Sequence, residues 1–101
     1  MRLIYVICKN KPEGHKIGLG LLKKKLIACY NLWPVESAYF WQKKIMKDKE
    51  VVLLLKTINR NYLKIENLVK KWHSYQVPCI FSLKPDRMEK HYIQGLKGEI
   101  R

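Results

Sequence analysis

Leu26 to Thr57 reads LIACYNLWPVESAYFWQKKIMKDKEVVLLLKT, and the order of elements in the chain follows from this stretch. Two strand-like runs lie inside it. One passes through Ser37, Ala38, Tyr39, Phe40 and Trp41; the other runs from Glu50 to Thr57. Val51 to Leu55 is continuously apolar, the pattern of a central strand buried on both faces. The first run is aromatic, which suits a pleated, half-buried surface. A polar link, Gln42 to Lys49, joins the two and is interrupted by Ile45 and Met46. The reading is a long β-hairpin. A hairpin of that length is more than so small a domain covers by itself. Tyr39, Phe40 and Trp41 near its tip would form an exposed aromatic patch, and such patches mark a partner surface.

Working outward, Leu3 to Cys8 is a strand apolar on both faces, broken by Lys9, Asn10, Lys11 and Pro12. Pro12 fits the first turn of a helix, in which Ile17, Leu21, Leu22 and Leu26 recur at helical spacing. Gly18 and Gly20 weaken that helix but allow it to lie close to a sheet. The glycines sit inside the helical pattern, a poor match to a phosphate-binding loop. Strand two starts near Ile27, with Pro34 as an edge or bulge marker. After Thr57, Asn59 or Asn61 would cap a second helix with Tyr62, Ile65, Leu68, Val69 and Trp72 as its apolar stripe. Pro78 stops that helix, and Val77 to Leu83 reads as strand four. Asp86 and Glu89 suggest a capping box for a last helix carrying Met88, Tyr92, Ile93 and Leu96, frayed early by Gly95 and Gly98. The order βαββαβ plus a C-terminal helix predicts an α+β, ferredoxin-like sandwich, with strand four antiparallel beside strand one.

The 101 residues form a single domain, 1–101, without repeat or linker. The apolar run at the N-terminus ends at Cys8, too short for a signal-peptide core, and no stretch is long enough to span a bilayer. The expected location is the cytoplasm. The formal charge of +13 rests mainly on lysine. Arginine, which supplies the fork for base and phosphate readout, occurs only at Arg2, Arg60, Arg87 and Arg101. A solvated lysine surface accounts for the charge, and nucleic acid would be bound non-specifically. Three cysteines without a secretory signal argue against a disulfide framework, and no C-x-x-C pair supports a zinc ribbon.

Pairing of strands one and four would bring Cys8, Cys79 and His73 to one end of the sheet. Two thiolates and an imidazole suit a soft metal, copper(I) or zinc. The alternative is structural: Cys8 and Cys79 as small core residues and His73 as a helix-terminal cap. His15 and His91 read as solvated helix positions, and Cys29 as core. No acid/base pair or nucleophile arrangement has motif support, so no enzyme is expected.

Four ordered segments carry a family resemblance. They are Leu26-Ile27-Ala28-Cys29-Tyr30-Asn31, Ser37-x-Tyr39-x-Trp41-x-x-x-Ile45, Glu50-x-x-Leu53-x-x-Lys56-Thr57 and His73-x-Tyr75-x-Val77-Pro78. Together they resemble the divalent-cation tolerance family, CutA. The resemblance implies a ferredoxin-like domain that assembles as a homotrimer through its long hairpin. It also implies a role in the response to metal ions, copper especially. Metal binding in the family is ascribed to a cysteine ending strand one and to histidines before the P-Y motif, which match Cys8 and His73. Here Trp72 stands where some members have a second histidine, Ser74 replaces the usual proline, and Cys79 replaces the usual glutamate. The last change would bias a site towards soft ions. Two other functions fit the scaffold: a basic nucleic-acid-binding module and a trimeric small-molecule sensor. The Glu50 to Thr57 strand lacks the aromatic pattern of RNA-binding domains of this shape.

Overall fold

The structure is a computed structural model that describes residues 1–101. Its elements are β1 (Arg2–Cys8), α1 (Lys11–Lys23), β2 (Cys29–Trp41), β3 (Lys44–Thr57), a 3-10 turn at Asn59–Asn61, α2 (Tyr62–Trp72), β4 (Ile80–Leu83) and α3 (Lys90–Glu99). The four strands form one sheet in the order β2-β3-β1-β4. All three pairings are antiparallel. This is the expected ferredoxin-like α+β arrangement with a C-terminal helix, and β4 does lie beside β1.

The pleat sorts the strands into two faces. Ile4, Val6 and Cys8 of β1 pair with Leu55, Leu53 and Val51 of β3, and all six are buried. α1 adds Ile17 and Leu21 to this face, and α2 adds Ile65 and Val69. Full burial of each such side chain contributes about 1.5–3 kcal/mol. Close approach of α1 depends on small residues. A Cβ on Gly18 would stand 2.7 Å from the Tyr30 ring, and one on Gly20 would stand 2.9 Å from the Trp72 ring. The other face carries Tyr5, Ile7, Trp33, Val52, Leu54 and Phe81. Tyr5 and Phe81 stack there at 4.9 Å between ring centres. The helix-side cluster contains none of these residues. α3 reaches one end of this open face, where Lys56 Nζ lies 5.5 Å from the centre of the Tyr92 ring.

The hairpin differs from expectation in its turn. The whole segment Gln42 to Lys49 was expected as a link; only Gln42 and Lys43 turn, both with positive φ (50° and 66°). A two-residue turn of that kind matches the twist of the flanking strands, so pairing continues to Trp41↔Lys44. Pairing with β1 ends at Cys8↔Val51, so residues 36–49 form a two-stranded ribbon paired only to itself. Six residues beyond Val35 correspond to roughly 20 Å of projection. The molecule is accordingly elongated, 46 × 27 × 21 Å.

Four smaller expectations also change. Asn61 occupies the α2 N-cap position without a side-chain cap bond. Its Nδ2 and Thr57 Oγ1 both donate to Leu26 O, tying the end of α1 to the end of β3. Glu89, not Asp86, caps α3, and its carboxylate accepts from His91 N–H. The helix then continues through Gly95 and Gly98 to Glu99, where packing of Leu96 outweighs glycine propensity. β4 starts at Ile80, because Pro78 lacks a ladder donor.

Candidate functional site

Polar chemistry concentrates where β1 ends, α1 begins and α2 ends. Asn10 caps α1 by accepting from Glu13 N–H at 3.0 Å. Glu13 returns the contact: its Oε1 accepts from Lys9 N–H and its Oε2 from Ser74 N–H, both at 2.9 Å. Burial works to raise the Glu13 carboxyl, but hydrogen bonds donated by Lys9 and Ser74 outweigh it and hold it below the usual carboxylate range.

His73 follows α2 and its side chain is wholly enclosed. Its Nε2 donates to Ile7 O at 2.7 Å, and its Nδ1 accepts from Tyr75 N–H at 3.0 Å. A carbonyl only accepts and a backbone N–H only donates, so this imidazole is neutral with its proton on Nε2. Nε2 also lies 3.7 Å from Glu13 Oε1. Cys8 completes the group: its sulfur, a Glu13 oxygen and a His73 nitrogen lie within 4.8 Å of one another. Burial, followed by the charges of Glu13 and Glu50, pushes the Cys8 thiol up to about 12.

Of the three residues expected as metal ligands, Cys8 and His73 meet and Cys79 does not join them. The expected end of the sheet was right, but the face was not. Ile7 N–H donates to Cys79 O at 3.2 Å, which sets Cys79 opposite Ile7, one residue from Cys8. A shift of one residue along a strand reverses the face. Cys79 is therefore exposed on the open face while Cys8 is fully buried on the helix side. Glu13 takes the third place. The signal for it was present in Asn10-x-x-Glu13, a capping pattern that sets a carboxylate next to the end of β1. His15 and His91 are exposed, and their partners are Tyr30 OH and Glu89.

The triangle is large enough to close around an ion, yet each side-chain oxygen and nitrogen already has a partner. No buried side-chain nitrogen or oxygen is left unsatisfied anywhere in the molecule. The donor set does not fit a resident metal: coordination requires loss of the Cys8 proton and of at least one existing hydrogen bond. What the residues build as they stand is a latch joining β1, α1 and the segment after α2.

Tyr75 connects this latch to a second feature. Its N–H serves His73, and its hydroxyl donates to Glu50 Oε2 at 2.6 Å on the open face. There a groove of about 650 Å³ runs between the hairpin and the segment around Val77. Tyr39, Trp41, Asp48, Glu50, Tyr75 and Cys79 contribute to its walls. The Tyr39 hydroxyl donates to Asp48. The exposed Tyr39 and Trp41 expected as interface residues are thus groove residues, whereas Phe40 points to the opposite side of the ribbon with Ile45.

Residues 2–99 match the family described as CutA1 divalent ion tolerance protein. The divalent-cation tolerance protein CutA of Thermotoga maritima is 33% identical over 100 residues, covering 99% of each chain. A crystal structure of CutA1 from Pyrococcus horikoshii superposes with a TM-score of 0.96 at 33% identity, covering 100% of this chain and 99% of that one. The periplasmic divalent cation tolerance protein CutA from Archaeoglobus fulgidus superposes with a TM-score of 0.96 at 30% identity, covering 100% of both chains. Sequence, element order and sheet topology agree over the same span, and the chain belongs to the CutA1 divalent ion tolerance family.

Proposed function

We propose that this chain acts as a homotrimer in the cytoplasm, in the response to metal ions, and that copper(I) is the ion it takes up at Cys8 and His73. The observation that carries the reading is the Cys8–Glu13–His73 triangle, with sulfur, oxygen and nitrogen donors within 4.8 Å in a chain of this family. A thiolate and an imidazole favour soft ions over magnesium or manganese. The ion is cargo and competes with the latch. It must displace the Cys8 proton and a hydrogen bond of His73, so uptake weakens as pH falls. The test is a copper(I) titration against a competing chelator. Cys8→Ser is expected to lose most of the affinity and Cys79→Ser to keep it. Equal affinity in the parent and in Cys8→Ser rejects the site.

The projecting ribbon supports the homotrimer. A free two-stranded ribbon is marginal in water, and Phe40 and Ile45 near its tip are 75% and 65% exposed. β2 and β4 each also have one unpaired edge. Three unpaired cysteines support a reducing compartment. Relatives carry both periplasmic and chloroplastic descriptions, so the thiols and not the family support the cytoplasm. The reading includes no catalysis, since burial holds the Cys8 thiol protonated at neutral pH and a protonated thiol is a poor nucleophile. Nucleic acid is bound only weakly and through counterion release, which salt suppresses. A second reading, a trimeric small-molecule sensor, has its own observation in the open-face groove.

A further inference from the structure

We propose that the open-face groove between the hairpin and the Tyr75–Cys79 segment binds a small organic cation of the alkylammonium or quaternary ammonium class. Three rings, Tyr39, Trp41 and Tyr75, stand in its walls together with the carboxylates of Asp48 and Glu50. Aromatic faces attract an ammonium group by their quadrupole, and the attraction strengthens where water is excluded. The charge pattern of the strand is what builds the cage. Lys47, Asp48, Lys49 and Glu50 alternate in sign, and β3 is extended through all four. The pleat therefore puts Asp48 and Glu50 on the groove side and turns Lys47 and Lys49 to the opposite face, where they pair with Ala38 and Glu36. The chain holds 21 basic residues and only 8 acidic ones, yet two of the acids and no lysine or arginine line this groove.

The rest of the lining selects an organic ion over a bare metal ion. Seven of the ten lining residues are hydrophobic, and the volume lies within the usual range for small-ligand pockets. The sole triangle of metal-type donors in the molecule is the one at Cys8, so the groove carboxylates and Cys79 do not form another. Each carboxylate instead accepts a tyrosine hydroxyl, Tyr39 to Asp48 and Tyr75 to Glu50. These bonds hold the rings and the charges in fixed relation, which lowers the ordering cost of binding.

The inference does not depend on copper uptake, and the experiment is run without metal on the full chain in its native assembly. Butyltrimethylammonium chloride is titrated calorimetrically at fixed ionic strength, with butanol and sodium butyrate as neutral and anionic probes. The cation is expected to bind saturably, with butanol about tenfold weaker or more and butyrate silent. Glu50→Gln is expected to weaken the cation about fivefold to tenfold, while Lys49→Ala on the opposite face leaves it unchanged or slightly stronger. Asp48→Asn, which removes the other groove charge, is expected to weaken the cation by a similar factor and serves where Glu50→Gln does not fold. Absence of saturable binding, equal binding of butanol, or unchanged affinity in Glu50→Gln overturns the proposal. So does a fall in assembly mass as the cation is added, because the groove would then hold a side chain of a neighbouring copy.

Discussion

The two faces of the sheet come from the same four strands and have opposite fates. On the helix side, alternate residues of β1 and β3 are closed over by α1 and α2, and Ile4, Val6, Leu53 and Leu55 lose all contact with water. On the open side, Tyr5, Trp33 and Phe81 remain partly exposed, and past Val35 the hairpin has neither helix nor third strand beside it. The comparison separates two uses of apolar surface. One face holds the chain together; the other stays partly open to solvent. The cysteines divide the same way, with Cys8 buried inside and Cys79 open to solvent.

The largest effect that tests this division is truncation on the helix side. Leu53→Ala or Ile65→Ala is expected to destabilise the fold by about 2–5 kcal/mol, read from denaturant midpoints. Phe81→Ala on the open side is expected to cost the isolated fold far less. Comparable losses in both would show the open face to be part of the folding core.

Assembly gives the next effect. Phe40→Ser with Ile45→Ser is expected to convert the proposed homotrimer into smaller species by light scattering, with little change in circular dichroism. A parent protein that is monomeric at micromolar concentration removes the homotrimer altogether.

The latch gives a smaller, pH-dependent effect. Because the Glu13 carboxyl is held below its ordinary value of 4.5, its ionised form is favoured by folding. That contribution is complete above the unfolded value and is lost as pH falls through the lower folded value. Glu13→Gln is expected to cost about 1–2 kcal/mol at neutral pH, by leaving a backbone N–H without its acceptor. The gap to the parent should close in acid below about pH 4.5. A gap that stays constant with pH would mean the carboxylate charge does not matter to the latch.

The smallest effect is in the turn. Gln42 and Lys43 hold positive φ, which asparagine and glycine accept more readily. Gln42→Asn with Lys43→Gly is expected to add up to about 1 kcal/mol, without altering the assembly. No gain would mean the ribbon frays at its tip in solution.

The sequence by itself determined the element order and the topology. Continuous apolar runs, the 3.6-residue stripe of α2 and the stops at Pro12 and Pro78 are local signals, written in spacing and backbone chemistry. Handedness rules then leave few ways to arrange βαββαβ. The sequence also brought Cys8 and His73 to one end of the sheet. The tertiary structure alone decided which side of the sheet each residue occupies. Strand register is fixed by contacts between distant segments, and one residue of register reverses a face, so Cys79 left the cluster and Glu13 entered it. The extent of the hairpin was decided in the same way. Lys44 to Lys49 is polar enough to read as a loop, but a two-residue turn with both residues at positive φ lets its backbone pair throughout, and that pairing turns Asp48 and Glu50 towards the aromatic rings.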